Sequence, residues 1–329
     1  MAIAGLAAGA AAATTLEDVK ARGALNCGVN TGLVGFAAPD ADGVWGGFDV
    51  AICRAVAAAV LGDSNAVEFV SLTGKTRFTS LAAGEIDMLS RNTTWTFSRD
   101  NDLKFEFVGI NYYDGQGFMV PRALGVSSAT ELDGATVCIQ TGTTTELNLA
   151  DFFRANNMSY DPVPIETNAE AQQQYLAGAC DVYTTDASGL AATRANFEAP
   201  GDHVVLPEIV SKEPLGPLVR HGDNEWGDIV RWTLNALISA EEVGITSANI
   251  GELSAGTNNP EINRILGTEG DLGAMIGLDA EWAKRAIMVG GNYGEIFESN
   301  IGEATPIGLS RGLNAQWKDG GLLYSPPFR

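Results

Sequence analysis

The sequence predicts an α/β protein of two similar lobes, and three observations carry that expectation. Strand-like and helix-like segments alternate, the pattern of a mostly parallel sheet with helices on its faces. The alternation passes through two cycles of the same plan, and extended Gly/Pro-punctuated stretches follow each cycle, Tyr112 to Val120 and Glu208 to Val219, which read as the two crossovers of a hinge. At 329 residues the chain also exceeds the roughly 250 to 300 residues at which one core stops growing, so about two domains are expected.

The elements follow in order. Met1 to Ala13 is apolar and small-residued and ends in Ala11-Ala12-Ala13, which fits the h-region and cleavage site of a signal-peptide remnant without its basic n-region. It is shorter than the roughly 20 apolar residues a membrane span needs. Ala24 to Val29 reads as the first strand, Gly47 to Leu61 as an Ala-rich helix stopped by Gly62, and Val67 to Leu72 as the second strand. Arg77 to Ala83 reads as a helix ending near Gly84, and Ile86 to Ser90 as a third strand that runs into a polar loop, Arg91 to Asp100. Such loops at strand C-termini are where open α/β sheets hold ligands.

The second cycle comprises a strand at Thr136 to Gln140, a turn at Gly142, a helix at Thr145 to Asn156, a strand near Val163 to Ile165, a helix at Ala169 to Leu176 and a strand at Asp181 to Thr184. Glu225 to Val243 is a helix returning to the first lobe, and Ala248 to Arg329 is Gly-rich with short helices packing around that lobe. The implied division is 1–13 for the leader remnant, 14–117 with 214–329 for the first lobe, and 118–213 for the second.

Apolar content of 45% and charged content of 19% describe a globular chain, and a net charge of −21, from 41 acidic and 20 basic residues, argues against partners that present phosphates, whether nucleic acid or anionic lipid. Several motifs fail on inspection. Gly74-Lys75-Thr76 resembles the end of a phosphate loop, but Phe69 stands where the first glycine is required; Ser188 has Asp186 rather than glycine two residues before it; and no G-x-G-x-x-G follows a strand. Two histidines and four cysteines without a C-x-x-C pair offer no metal-ligand spacing. Those cysteines allow three connectivities; proximity within each lobe favours Cys27 with Cys53 and Cys138 with Cys180, with buried free thiols as the alternative.

One stretch is specific. Thr76-Arg77-Phe78-Thr79-Ser80-Leu81, then Gly84-Glu85-Ile86-Asp87, then Ser90 to Asp100 (SRNTTWTFSRD) resembles the polar amino-acid family of periplasmic solute-binding proteins. Gly46-Gly47-Phe48-Asp49, Gln140 to Glu146 and Cys180 to Asp186 support the resemblance, and Gly291 to Phe297 (GNYGEIF) is similar to the general L-amino-acid subgroup. The resemblance implies a type II periplasmic binding protein fold with the ligand cleft between two lobes. It further implies export to the periplasm, a free L-amino acid as ligand, delivery by hinge closure to an inner-membrane ABC permease, a monomer, and no cofactor or catalysis.

Carried over by position, the resemblance places Arg99 on the ligand carboxylate, where a planar guanidinium matches two oxygens. It assigns the Thr94 hydroxyl and amide to the same carboxylate, the Asn92 backbone carbonyl to the ammonium, and the Thr144 N–H, at a helix start that favours anions, to the carboxylate. Asp186 would pair with the ammonium. Arg77 would reach the ligand side chain, with an exposed helix arginine as the other reading. Thr143 to Glu146 also reads as a capping sequence. Leu33 stands where many relatives carry an aromatic lid, which suits a broader pocket, with Phe36 and Trp95 as possible neighbours or core residues. Two other functions share the fold: a sensory module that reports amino acids to a receptor, and a cyclohexadienyl-dehydratase-like enzyme.

Overall fold

A computed structural model describes residues 14–329; the leader remnant expected at 1–13 lies outside the described residues. Two five-stranded sheets repeat one topology. In the first, the order is Val67–Leu72, Leu25–Asn30, Met88–Leu89, Leu218–Arg220 and Phe105–Phe107. The first three strands are parallel, and Leu218–Arg220 returns antiparallel to both of its neighbours. In the second, Tyr160–Ile165, Ala135–Gln140 and Val182–Asp186 are parallel, and Gln116–Pro121 then His203–Val205 complete the sheet antiparallel. The fold is the two-lobed one expected.

The strands form where apolar and β-branched residues cluster. Leu25–Asn30 is buried almost throughout, as a strand covered on both faces must be. Over its face lies the helix Phe48–Leu61, with ten buried residues, ended by Gly62 in the left-handed conformation. The strand expected at Ile86 to Ser90 pairs only at Met88–Leu89. A helix at Thr15–Arg22, unforeseen, starts on a capping box in which the Thr14 hydroxyl accepts from the Glu17 N–H and the Glu17 side chain accepts in return.

The C-terminal segment packs on the first lobe. Trp282–Gly290 lies against Phe48–Leu61 and against the long helix Asn224–Val243. Arg285 donates from Nε and Nη2 to the carbonyls of Ala58 and Ala59, covering the exposed C-terminal end of Phe48–Leu61 with positive charge. Phe36, Phe48, Tyr112, Tyr293 and Phe297 form one edge-to-face aromatic cluster at the centre of this core. The second lobe has a smaller core on each face of its sheet, around Phe118 and Phe153 on one and Tyr175 and Tyr183 on the other.

Two short strands connect the lobes. Tyr112–Asp114 pairs antiparallel with Glu213–Leu215, placing Asp114 opposite Glu213. Gly216 follows closely, where a Cβ would fall 1.9 Å from the Gly109 carbonyl oxygen, so the crossover admits only glycine.

The disulfides join Cys27 to Cys53 and Cys138 to Cys180, one in each lobe, with Cα separations of 6.2 and 5.6 Å. The bridges span 26 and 42 residues, so restricting the unfolded chain accounts for about 3 to 4 kcal/mol from each. Reduction should therefore lower the denaturation midpoint of both lobes; comparing oxidised with reduced protein in guanidinium checks this. Among the described residues no helix is long and apolar enough to cross a membrane.

Candidate functional site

Strand-end loops of both sheets converge on one cavity. Asn30, Leu33, Arg77, Arg91, Asn92 and Thr94 come from the first lobe, and Thr144, Asn168, Asp186 and Ser188 from the second. Side chains of both lobes enclose the cavity on most sides.

Polar contacts hold the lobes together around it. Asn168 Nδ2 donates to Asn30 Oδ1 at 3.1 Å, and Arg77 Nη2 to the Gly142 carbonyl at 3.3 Å. The Thr94 and Thr144 hydroxyls stand 3.4 Å apart. At the rim, Lys75 Nζ meets Glu166 at 2.7 Å, an exposed pair that contributes little by itself. Backbones also touch: a Cβ on Gly74 would lie 2.6 Å from the Thr141 carbonyl oxygen, and Gly142 has φ of +74°. The phosphate-loop lookalike Gly74-Lys75 is thus a closing lip.

Asp186 occupies the N-cap of the helix Ala187–Ala195, where an aspartate ordinarily accepts from the helix N–H groups, yet it makes no such bond. Asp114 takes that place, accepting from the Ser188 hydroxyl and more loosely from its N–H. The Asp186 carboxylate is left facing the cavity. Burial, then the negative charges of Asp114 and Glu213, push its pKa well above the usual carboxylate range, against the pull of Arg77 and Arg99. Burial likewise raises Asp114 to about 6.

Opposite stand three buried arginines. Arg77, 1% exposed, donates to the Thr93 hydroxyl and to Gly142, and its Nε has no partner among the described residues. Arg91 donates from Nε to the Leu72 carbonyl, and its Nη2 is also unpartnered. Arg99 lies over the Phe78 ring, 5.1 Å to the centroid, and donates from Nη1 to the Thr94 carbonyl at 2.8 Å. Burial pulls Arg91 and Arg99 down to about 10. Buried donors without acceptors are rare in native interiors and mark a site prepared for anionic groups.

Asn92 supports this wall in a strained backbone, φ +40°, with its N–H donating to Asp49 Oδ2. Asp49 is fully buried, and burial raises it to about 6, against the bonds from Asn92, Asn111 and Ser90.

Of the residues singled out from sequence, Arg77, Asn92, Thr94, Thr144 and Asp186 line the cavity. Arg99 does not; it stands behind Thr94. Arg77 is not the exposed helix arginine of the second reading. Phe36 belongs to the aromatic core, and Trp95 stacks on Phe107 with centroids 5.6 Å apart, so neither lines the cavity, whereas Leu33 does. The capping sequence is also corrected. No side chain caps the helix Thr144–Ala155: the Thr143 hydroxyl donates to the Gln140 carbonyl, and Glu146 accepts from Gly142 rather than Thr143.

Sequence reasoning missed Asn30, Arg91, Asp114, Asn168 and above all Glu213. Glu213, 2% exposed, accepts from Thr94 Oγ1 at 2.5 Å, Thr144 Oγ1 at 3.0 Å, Asn148 Nδ2 at 2.6 Å and Ser211 Oγ at 2.7 Å. Its only sequence signal is an acid inside a Gly/Pro-rich crossover, which gains meaning once the Asp114 register is known.

Comparison with known proteins adds to this geometry. The family model for bacterial extracellular solute-binding proteins, family 3, matches residues 25–247. The chain is 68% identical over 329 residues to the glutamate/glutamine/aspartate/asparagine-binding protein BztA of Rhodobacter capsulatus, covering 100% of this chain and 97% of that one. It is 57% identical over 330 residues to the general L-amino acid-binding periplasmic protein AapJ of Rhizobium johnstonii, covering 100% and 96%. A solved structure, an ABC transporter/periplasmic binding protein from Brucella ovis with glutathione bound, superposes with a TM-score of 0.93 at 56% identity, covering 96% of this chain and 100% of that one.

Proposed function

The chain belongs to the bacterial extracellular solute-binding proteins of family 3, and from that premise we propose that it captures free L-α-amino acids in the periplasm and delivers them to an ABC importer. One observation carries this reading. A carboxylate that declines its helix cap, Asp186, faces across the cleft a set of buried guanidinium groups with donors to spare. A zwitterion costs several kcal/mol per charge to desolvate, and this arrangement meets each end with the opposite charge.

The ammonium pairs with Asp186 and the Asn92 carbonyl. The α-carboxylate meets Thr94 and the Thr144 N–H, with the charge of Arg99 close behind Thr94. Arg77, with Arg91 beside it on the cavity wall, serves a polar or acidic side chain. Because Asp186 and Thr144 belong to the second lobe and Arg99 and Thr94 to the first, the full contact set exists only when the lobes close, and this differential affinity drives closure. The lobes divide near 117 and 214, the closed monomer is the form presented to the permease, and no catalytic step is required.

Glutathione, the ligand of the Brucella ovis structure, carries at its γ-glutamyl end the same free α-amino and α-carboxyl groups. It belongs in the test panel beside the twenty amino acids.

Calorimetry of the purified protein against that panel is the test. Micromolar or tighter binding of several polar amino acids is expected, and binding of none would end the reading. A proton signature accompanies it. Burial, together with the charges of Asp114 and Glu213, raises the pKa of Asp186, and an ammonium beside it lowers that pKa again, so binding releases protons at mildly acidic pH. Affinity should rise with pH between the ligand-bound and ligand-free pKa values of Asp186 and level off above the latter. Titrations in two buffers of different ionisation enthalpy at pH 5 to 6 measure this, and proton uptake would contradict it.

A further inference from the structure

Glu213 is the acid that the amino-acid reading leaves unused, and its surroundings are unusual. It belongs to a hinge strand rather than to either lobe's sheet. The strand is fixed to the first lobe: the Trp95 N–H donates to the Pro214 carbonyl and the Gly216 N–H to the Thr93 carbonyl. The Glu213 carboxylate is nevertheless bonded to both lobes. Oε2 accepts from Thr94 of the first and Thr144 of the second, and Oε1 from Asn148 of the second.

A threonine hydroxyl has one proton to donate. Thr94 spends its proton on Glu213, so it cannot at the same time donate to an amino acid's carboxylate. With Glu213 seated between the two threonines, the Thr144 hydroxyl is engaged as well, so neither hydroxyl has a proton left for a second acceptor. Arg99, the guanidinium assigned to that carboxylate, has Glu213 as its leading favourable charge.

We infer that Glu213 is an internal competitor for the α-carboxylate subsite. Its side chain bridges Thr94, Thr144 and Asn148 when no amino acid is bound, holds the lobes together, and is displaced by the ligand's carboxylate. The residue thereby sets affinity without being a ligand contact, because each binding event must first break its bonds. This rests on the amino-acid reading for the ligand, but not for the interlobe bridge.

The test uses the full mature protein and two variants. Glu213→Ala removes the competitor, and Asn148→Ala removes one bond from the second lobe at a position that does not line the cavity. Hydrogen bonds to a charged group contribute about 1.5 to 3 kcal/mol net, so Asn148→Ala should bind L-glutamate about tenfold more tightly, and Glu213→Ala at least as much. Without amino acid, the radius of gyration by small-angle scattering should rise in both variants towards that of an open cleft. Weaker L-glutamate binding with an unchanged radius would overturn the inference and make Glu213 a support for the two threonines. Should Glu213→Ala fail to fold, Asn148→Ala decides by the same two measurements. If the wild type binds no amino acid, the ligand reading fails, while the scattering comparison still reports whether the bridge exists.

Discussion

Asp186→Asn should bind amino acids at least a hundredfold more weakly than the wild type while melting at the same temperature or higher. The substitution preserves shape and removes only the charge that the ammonium needs. Breaking a buried ion pair by deleting one partner costs about 3 to 5 kcal/mol, two to three orders of magnitude or more in Kd. The direction of the stability change follows from the same environment. The folded-state pKa of Asp186 lies well above its unfolded value, so folding is favoured below the unfolded pKa and that contribution is lost as pH rises through the folded one. At pH 7, above the unfolded value, this raised acid opposes folding, and asparagine relieves it. The gain should shrink on acidification towards pH 4. Arg99→Ala is expected to abolish binding as well. Affinity retained within tenfold in both variants, with intact melts, would remove the pair from the site. An acid that destabilises its own lobe is a feature of function held against stability.

The second large effect is expected from one methyl group. Gly74→Ala places a Cβ 2.6 Å from the Thr141 carbonyl oxygen and 3.1 Å from the Thr143 methyl, both in the opposite lobe. Gly74 has an ordinary backbone conformation and is absent from the positive-φ glycines, so alanine strains nothing within its own lobe. The clash exists only when the lobes are closed. Overpacking of this kind costs about 1 to 3 kcal/mol, here charged entirely to closure, so the dissociation constant should rise about ten- to a hundredfold with no change in thermal stability. Stopped-flow release of ligand should accelerate by the same factor. An unchanged Kd would mean that closure stops short of this contact. Gly142→Ala is the poorer experiment, because φ of +74° strains alanine in either state.

The legibility of this molecule was uneven for physical reasons. Val67–Leu72 and Arg77–Ala83 emerged at their sequence-read boundaries because a strand-period apolar run and a glycine stop are local signals. Thr15–Arg22 carried an equally local signal in Thr14 and Glu17 that was overshadowed by the apolar segment before it. The cavity residues Asn92, Thr94, Thr144 and Asp186 could be named because they follow strands in a recognisable order. Glu213 and Asp114 could not, since their significance is a pairing register between segments about a hundred residues apart, and no periodicity encodes that. Trp95 shows the converse: beside the site in sequence, it turns outward, its indole N–H bonded to Asp100.

The hinge has a further property. Asn314, from the C-terminal segment, presents its carboxamide to Tyr113 as a strand partner would: Oδ1 accepts from the Tyr113 N–H at 2.7 Å and Nδ2 donates to its carbonyl at 3.2 Å. The two-stranded joint therefore has a splint along its free edge. That splint lies outside residues 25–247, the part shared with the family at large. The stiffness of the joint and the chemistry of the cleft are thus written in separate stretches of chain, so a lineage can retune how readily the clamp shuts without touching what it recognises.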